Sequence, residues 1–169
     1  MSRSIRPLAE PDFEEAHAII NEAAEAYRGV IPADRWHEPY MSREELRQEI
    51  AAGVEFSVLV DDGRMVGVMG VQQVRDALLV RHAYVRKAAQ RQGTGSALMK
   101  HLLANMRGRV MVGTWAAAQW AIRFYERHGF RLTAPDEKDR LLSTYWSIPD
   151  RQRETSVVLI LEESEKPGG

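Results

Sequence analysis

Residues 77–106 read ALLVRHAYVRKAAQRQGTGSALMKHLLANM, and the six at 90–95, QRQGTG, decide how the chain is read. An apolar run, ALLVRHAYV, precedes them and predicts a strand over 77–85. An amphipathic stretch follows, with Leu98, Leu102 and Met106 at i, i+4 and i+8 and Met99 and Leu103 beside them. That spacing predicts a helix from Gly95 to Met106. Glycine is a poor helix former, so two glycines at a helix start need a reason. One reason is an ordinary tight turn. The other is a cradle for phosphate, because the first amides of a helix have no intrahelical acceptor and carry the positive end of its dipole. Glycine at 93 and 95 lets the backbone approach an anion closely. Ser96 adds a hydroxyl and Arg91 a charge at the rim. The motif is not a Walker loop, since no Gly-Lys-Ser/Thr follows. Nor is it a dinucleotide fingerprint, since position 98 is Leu. Taken alone, the hexapeptide leaves turn and cradle equally open.

The surrounding chain predicts mixed α/β structure. Ser4–Leu8 reads as a first strand, and Pro11 and Asp12 open a helix with Phe13, Ala16, Ile20 and Ala23 at helical spacing. Residues 27–41, YRGVIPADRWHEPYM, are irregular and aromatic. Ser42 and Glu45 form a capping box for a helix through Ala52. FSVLV (56–60) and RMVGVMGVQ (64–72), joined at Asp61-Asp62-Gly63, read as a β-hairpin. VMVGTW (110–115) is a strand, Ala117–His128 a helix, and FRL (130–132) a further strand. DEKDRLLSTYWSIPDRQ (136–152) reads as a polar loop whose charged run is solvated. TSVVLIL (155–161) is a buried last strand. No repeat or linker divides the chain, so residues 1–163 are read as one domain and 164–169 as a disordered tail.

Composition narrows the class. The 169 residues suit one compact domain. The net charge of −1 gives no basic field for nucleic acid. There is no cysteine, which removes disulfides, thiolate metal sites and a Cys nucleophile, and which fits a reducing compartment. The N-terminal residues lack an apolar signal core, and no apolar run approaches the ~20 residues that span a bilayer. A cytoplasmic protein without a membrane partner is expected. The five histidines show no i, i+4 pair, so no metal is expected.

Two motifs in order carry a resemblance. Gln90-Arg91-Gln92-Gly93-Thr94-Gly95 after a strand matches the Gln/Arg-x-x-Gly-x-Gly/Ala hallmark of the GCN5-related N-acetyltransferases, the GNAT superfamily. AIRFYERHGF (121–130) closely resembles their A-x-x-F-Y-x-x-x-G-F signature. The order of elements over residues 4–161 is also similar. The resemblance implies an α/β (α+β) fold with a mixed, mostly antiparallel sheet of about seven strands flanked by helices. It implies an enzyme that moves an acetyl group from acetyl-CoA to a primary amine, of a small molecule or a protein, by direct attack.

By position in that family, backbone groups of Ala83, Tyr84 and Val85 would meet the pantetheine arm, where the strand before the loop splays from its neighbour. Amides of Gln90, Arg91, Gln92, Gly93, Thr94, Gly95 and Ser96 would hold the pyrophosphate, and the Val85 N–H would polarise the thioester carbonyl. Tyr125 matches the tyrosine that protonates the departing thiolate. Two departures stand out. Ala118 takes the place of a cofactor-contacting Asn. Leu79 and Arg81 stand where members carry Glu or His as a base. His82 is adjacent, but strand alternation turns it away from Arg81 unless a bulge intervenes, and a structural histidine is the simpler reading. Glu38, from the aromatic segment, is the candidate base. Tyr27, Trp36, Arg81, His82, Trp115 and Trp146 are candidates for the acceptor site, with His37 and Tyr145 nearby in sequence terms. These departures keep a catalytically quiet acyl-CoA-binding module as the alternative. The acceptor, the acyl length and the oligomeric state, a homodimer included, stay open.

Overall fold

The computed structural model describes residues 2–104, 106 and 108–162; the tail expected at 164–169 lies outside them. The fold is mixed α/β. A seven-stranded, mostly antiparallel sheet has the order β1-β2-β3-β4-β5-β7-β6. Its strands are β1 (Arg3–Pro7), β2 (Glu55–Asp61), β3 (Arg64–Val74), β4 (Ala77–Val85), β5 (Arg109–Trp115), β6 (Arg131–Leu132) and β7 (Ser156–Leu161). The helices are α1 (Phe13–Ala24), α2 (Arg43–Ala51), α3 (Thr94–Ala104), α4 (Gln119–Arg127), α5 (Pro135–Tyr145) and α6 (Asp150–Glu154). The contacts group into two compact units. One is Met1–Gln72 with Val80–Asn105, the other Gln73–Leu79 with Met106–Gly169.

In the first unit the expected hairpin forms. β2 pairs antiparallel with β3, and Asp62 (φ 48°) and Gly63 (φ 80°) make the turn with both central residues left-handed. That geometry matches the right-handed twist of the strands it joins. α2 starts as its capping box predicts: the Glu45 N–H donates to Ser42 Oγ at 3.1 Å, and the Ser42 N–H donates back to Glu45 Oε1 at 3.5 Å. Leu46 is the residue α2 buries, fully. It joins Phe13, Ile19 and Ile20 of α1 and Phe56, Val58, Met65 and Val68 of the sheet in one core. Deleting a buried leucine side chain to Ala costs ~2–5 kcal/mol, so this core holds α2, and what α2 carries, against the sheet.

In the second unit β7 pairs antiparallel with both β5 and β6. Val158, Leu159 and Ile160 are buried in succession, as a strand covered on both faces requires. The polar loop expected at 136–152 is not a loop. It forms α5 and α6, with Pro135 in the first turn of α5 and the acids Asp136 and Glu137 beside it at the positive end of the dipole. The charged run forms the first turns of α5, with Asp136, Asp139 and Arg140 exposed and Lys138 partly buried, donating to the Arg153 carbonyl at 3.2 Å. The apolar side of α5 is Leu141, Leu142 and Tyr145, packed on Ala77, Leu79, Met111, Val158 and Ile160. α4 is shorter than expected, because Ala118 is its N-cap and lies wholly buried.

Candidate active site

β4 leads into the QRQGTG loop through a short 3-10 turn over Lys87–Ala89. Two loop residues are left-handed, Arg91 (φ 66°) and Gly93 (φ 76°). Gly93 is exposed, and a Cβ placed there would meet no atom within 4 Å. Glycine is therefore present for its backbone angle, not to avoid a neighbour. The Ala97 N–H donates to the Gly93 carbonyl at 2.9 Å and starts α3. α3 begins at Thr94, so Gly95 and Ser96 sit in its first turn, where amides point out of the helix. A left-handed residue just before a helix start aims successive N–H groups into one concavity, the geometry that receives phosphate oxygens. The Thr94 side chain faces the other way. It is buried, donates to the Ala89 carbonyl at 3.2 Å and accepts from Arg3 Nη2 at 2.9 Å. Thr94 thus pins the loop through its side chain. Gln90 and Gln92 tie back to the carbonyls of Val85 and Ala88, both at 3.3 Å.

On β4 the alternation expected between Arg81 and His82 breaks. His82 is left-handed (φ 56°) in mid-strand, a conformation rare for a residue other than glycine. Across the sheet, Gly70 of β3 leaves room for this stretch of β4. A Cβ there would lie 2.9 Å from Phe56 Cε1 and Val54 Cγ1 and 3.0 Å from the Arg81 carbonyl. The β4 backbone occupies space that only glycine leaves. The turn brings Arg81 and His82 to the same partner, Glu49 of α2. Arg81 Nη2 reaches Glu49 Oε1 at 3.4 Å, while Arg81 Nη1 donates to Gln72 Oε1 at 3.2 Å. His82 Nε2 pairs with Glu49 Oε2, and both atoms are shut off from solvent. Burial alone would raise the Glu49 carboxyl. The His82 hydrogen bond and the charges of His82 and Arg81 outweigh it and hold the group below its ordinary range.

An aromatic run extends from this point. The His82 ring stacks between Phe56 at 6.1 Å and Tyr84 at 6.2 Å. Tyr84 meets Tyr27 edge-on at 6.5 Å, Tyr27 stacks on Tyr40 at 5.8 Å, and Trp36 and His37 flank Tyr40. Glu38 sits at the Trp36 end of this run. Its carboxylate pairs with Arg28 and accepts from Trp36 Nε1 at 3.0 Å. Arg28 in turn lies over the Trp36 ring and bonds Glu25.

In the second unit Tyr125 of α4 is buried, with its ring edge-on to Phe124 and to Phe130 at 5.7 Å. Trp146 lies over β5 at Gly113, and Trp115 ends β5, partly exposed. The Tyr145 hydroxyl donates to Asp76, whose carboxyl that bond holds below its ordinary range.

The sequence profile of the acetyltransferase (GNAT) domain matches residues 13–143. The chain belongs to the GNAT acetyltransferase family. Solved structures agree on the fold. The ribosomal-protein-S18-alanine N-acetyltransferase of Escherichia coli is 20% identical, with TM-score 0.67 over 95% of this chain and 94% of its own. The PaiA N-acetyltransferase of Thermoplasma acidophilum, solved with coenzyme A, is 16% identical, with TM-score 0.73 over 96% of this chain and 99% of its own. The N-acetylglutamate synthase of Neisseria gonorrhoeae, solved with coenzyme A and N-acetyl-glutamate, is 22% identical, with TM-score 0.65 over 96% of this chain but 35% of its own. No curated protein matches the sequence.

Within this GNAT chain the first unit brings together Tyr27, Trp36, Arg81, His82 and Tyr84, all singled out from sequence. It also gathers Gln90–Ser96 at one loop. Glu49 was not singled out. In REELRQEI it looks like one more acid on the solvated face of a helix, and only the turn at His82 gives it partners. No helix among the described residues is long and apolar enough to cross a membrane.

Proposed function

We propose that this protein is an acetyl-CoA-dependent N-acetyltransferase that acetylates a primary amine by direct attack on the thioester. The observation that carries the reading is the left-handed Arg91/Gly93 loop opening α3, with Gly93 exposed and open space where its Cβ would be. Amides of residues 91–96 would hold the pyrophosphate, and the backbone of Ala83–Val85 would serve the pantetheine arm. Coenzyme A supplies the activated acyl group as a thioester. The amine nitrogen attacks the carbonyl carbon, the C–N bond forms and the C–S bond breaks. The Val85 N–H is the donor we assign to the developing oxyanion, and the Tyr125 hydroxyl is the proton donor for the leaving thiolate.

The aromatic run from Trp36 to His82 supports an acceptor whose body is apolar or cationic, since rings hold both by their faces. We take residues 1–163 as one catalytic domain, acting in the cytoplasm.

The test is thiol release from acetyl-CoA across an amine panel: tyramine, spermidine, a lysine peptide and an alanyl peptide. At least one amine should raise the rate above hydrolysis. Tyr125→Phe should then lower kcat by about 10²-fold, the scale of a lost general acid, with coenzyme A affinity retained. Tight coenzyme A binding with no amine-dependent release would favour the quiet binding module.

A further inference from the structure

The left-handed turn at His82 comes directly before the backbone assigned to the donor, and it is a strained conformation. Positive φ is unfavourable for a residue other than glycine, and Gly70 opposite it leaves room for the Arg81 carbonyl. What the turn achieves is specific. It points His82 Nε2 inward at Glu49 Oε2, where both atoms are closed to solvent. The second Glu49 oxygen is engaged by Arg81, which Gln72 steadies. The carboxylate is thus held ionised on two sides and cannot swing to another partner. The imidazole is fixed in orientation by Glu49 and by the flanking rings of Phe56 and Tyr84. Nδ1 is the ring nitrogen left over, and it has no hydrogen-bond partner among the described residues. A carboxylate accepting from one imidazole nitrogen sets the tautomer, so the other nitrogen presents a lone pair.

We infer that His82 is the general base of this enzyme, with Glu49 as the residue that orients and polarises it. The inference rests on the acetyl-transfer reading above and supplies the base that Leu79 and Arg81 cannot. His82 lies on β4 directly before Ala83–Val85, and its ring continues the run Tyr84–Tyr27–Tyr40. An amine lying on that run reaches Nδ1. As the amine nitrogen bonds to the thioester carbon, its proton passes to Nδ1, and the imidazolium is stabilised by the Glu49 carboxylate. Coenzyme A leaves as the thiolate and is protonated separately, so protons and charge balance. The charged and titratable groups around His82 are Glu49 from α2 and Arg81 and Tyr84 from β4. Among the described residues, β2 packs the apolar Phe56 on the ring.

Glu38 is the poorer candidate, because its Oε1 already accepts from Arg28 and the Trp36 indole.

The experiment is a pH–rate profile for amine-dependent thiol release in wild type, His82→Asn and Glu49→Gln, with ¹⁵N spectra of the histidine rings. Asn tolerates left-handed backbone, so His82→Asn removes the base without forcing the turn to open. Wild type should lose activity on the acidic side. His82→Asn should drop kcat by about 10²-fold and abolish that acidic limb, with KM for acetyl-CoA unchanged. Glu49→Gln should lower kcat with KM for acetyl-CoA unchanged, because the imidazole loses the carboxylate that orients it. The wild-type spectrum should show His82 protonated at Nε2 and bare at Nδ1. An active wild type whose acidic limb survives in His82→Asn overturns the base assignment and leaves acetyl transfer standing. A wild type that turns over none of the amines overturns the acetyl-transfer reading, and the base with it.

Discussion

Gly93 and His82 are both left-handed, at φ 76° and 56°, and they teach opposite lessons. Gly93 stands in open space at an exposed loop. Its conformation is written in its residue type, since glycine pays nothing for positive φ and is placed where it is used. His82 stands in mid-strand, and nothing in RHAYV announces a turn. Its surroundings are tertiary: Gly70 on the neighbouring strand leaves room for the Arg81 carbonyl, and Glu49 on a helix pairs with the ring. The donor side of the proposed chemistry is therefore a local device, and the acceptor side a tertiary one.

That contrast can be attacked first at the loop. Gly95→Val puts a branched side chain in the first turn of α3, where the proposed phosphates lie. Coenzyme A affinity should fall by about 100-fold, or ~2.7 kcal/mol. The thermal midpoint should hold or rise, because Val is the better helix former. Unchanged affinity by calorimetry would reduce the loop to an ordinary turn.

Gly70→Ala tests the strand. The new Cβ would meet Phe56, Val54 and the Arg81 carbonyl at 2.9–3.0 Å. Overpacking of this kind costs ~1–3 kcal/mol. Denaturant melts should show that loss, and kcat should fall more than coenzyme A affinity, because the displaced carbonyl carries His82 with it. Equal loss of both would mean that the turn and the loop are one device.

The smallest effect is on the pH dependence of stability. The Glu49 carboxyl is held below its ordinary 4.5 when folded. A depressed acid contributes stability that is fully present above its unfolded pKa and is lost as pH falls through the folded one. Wild type should therefore lose stability on acidification below about pH 4.5, and Glu49→Gln should flatten that part of the curve. A mutant curve parallel to wild type would show that Glu49 is not ionised by its partners.

Much of the fold was legible because its signals are local: the Ser42/Glu45 box, the Asp62-Gly63 turn, the α3 stripe. α5 was misread because DEKDR comes first and its apolar side, Leu141, Leu142 and Tyr145, crowds the C-terminal end. The donor loop was visible for the reason Gly93 was. Arg81 and His82 were noticed as residues, but strand alternation set them on opposite faces. Their common partner Glu49 could not be seen, because it depends on where β3 runs beside β4.

One titration tests the donor loop most directly. Coenzyme A added to ¹⁵N-labelled protein should shift the amides of Arg91–Ser96 and Ala83–Val85 most, with those of α5 and α6 unmoved. Binding that leaves residues 91–96 unperturbed, or no binding at all, would contradict that loop's assignment to the donor.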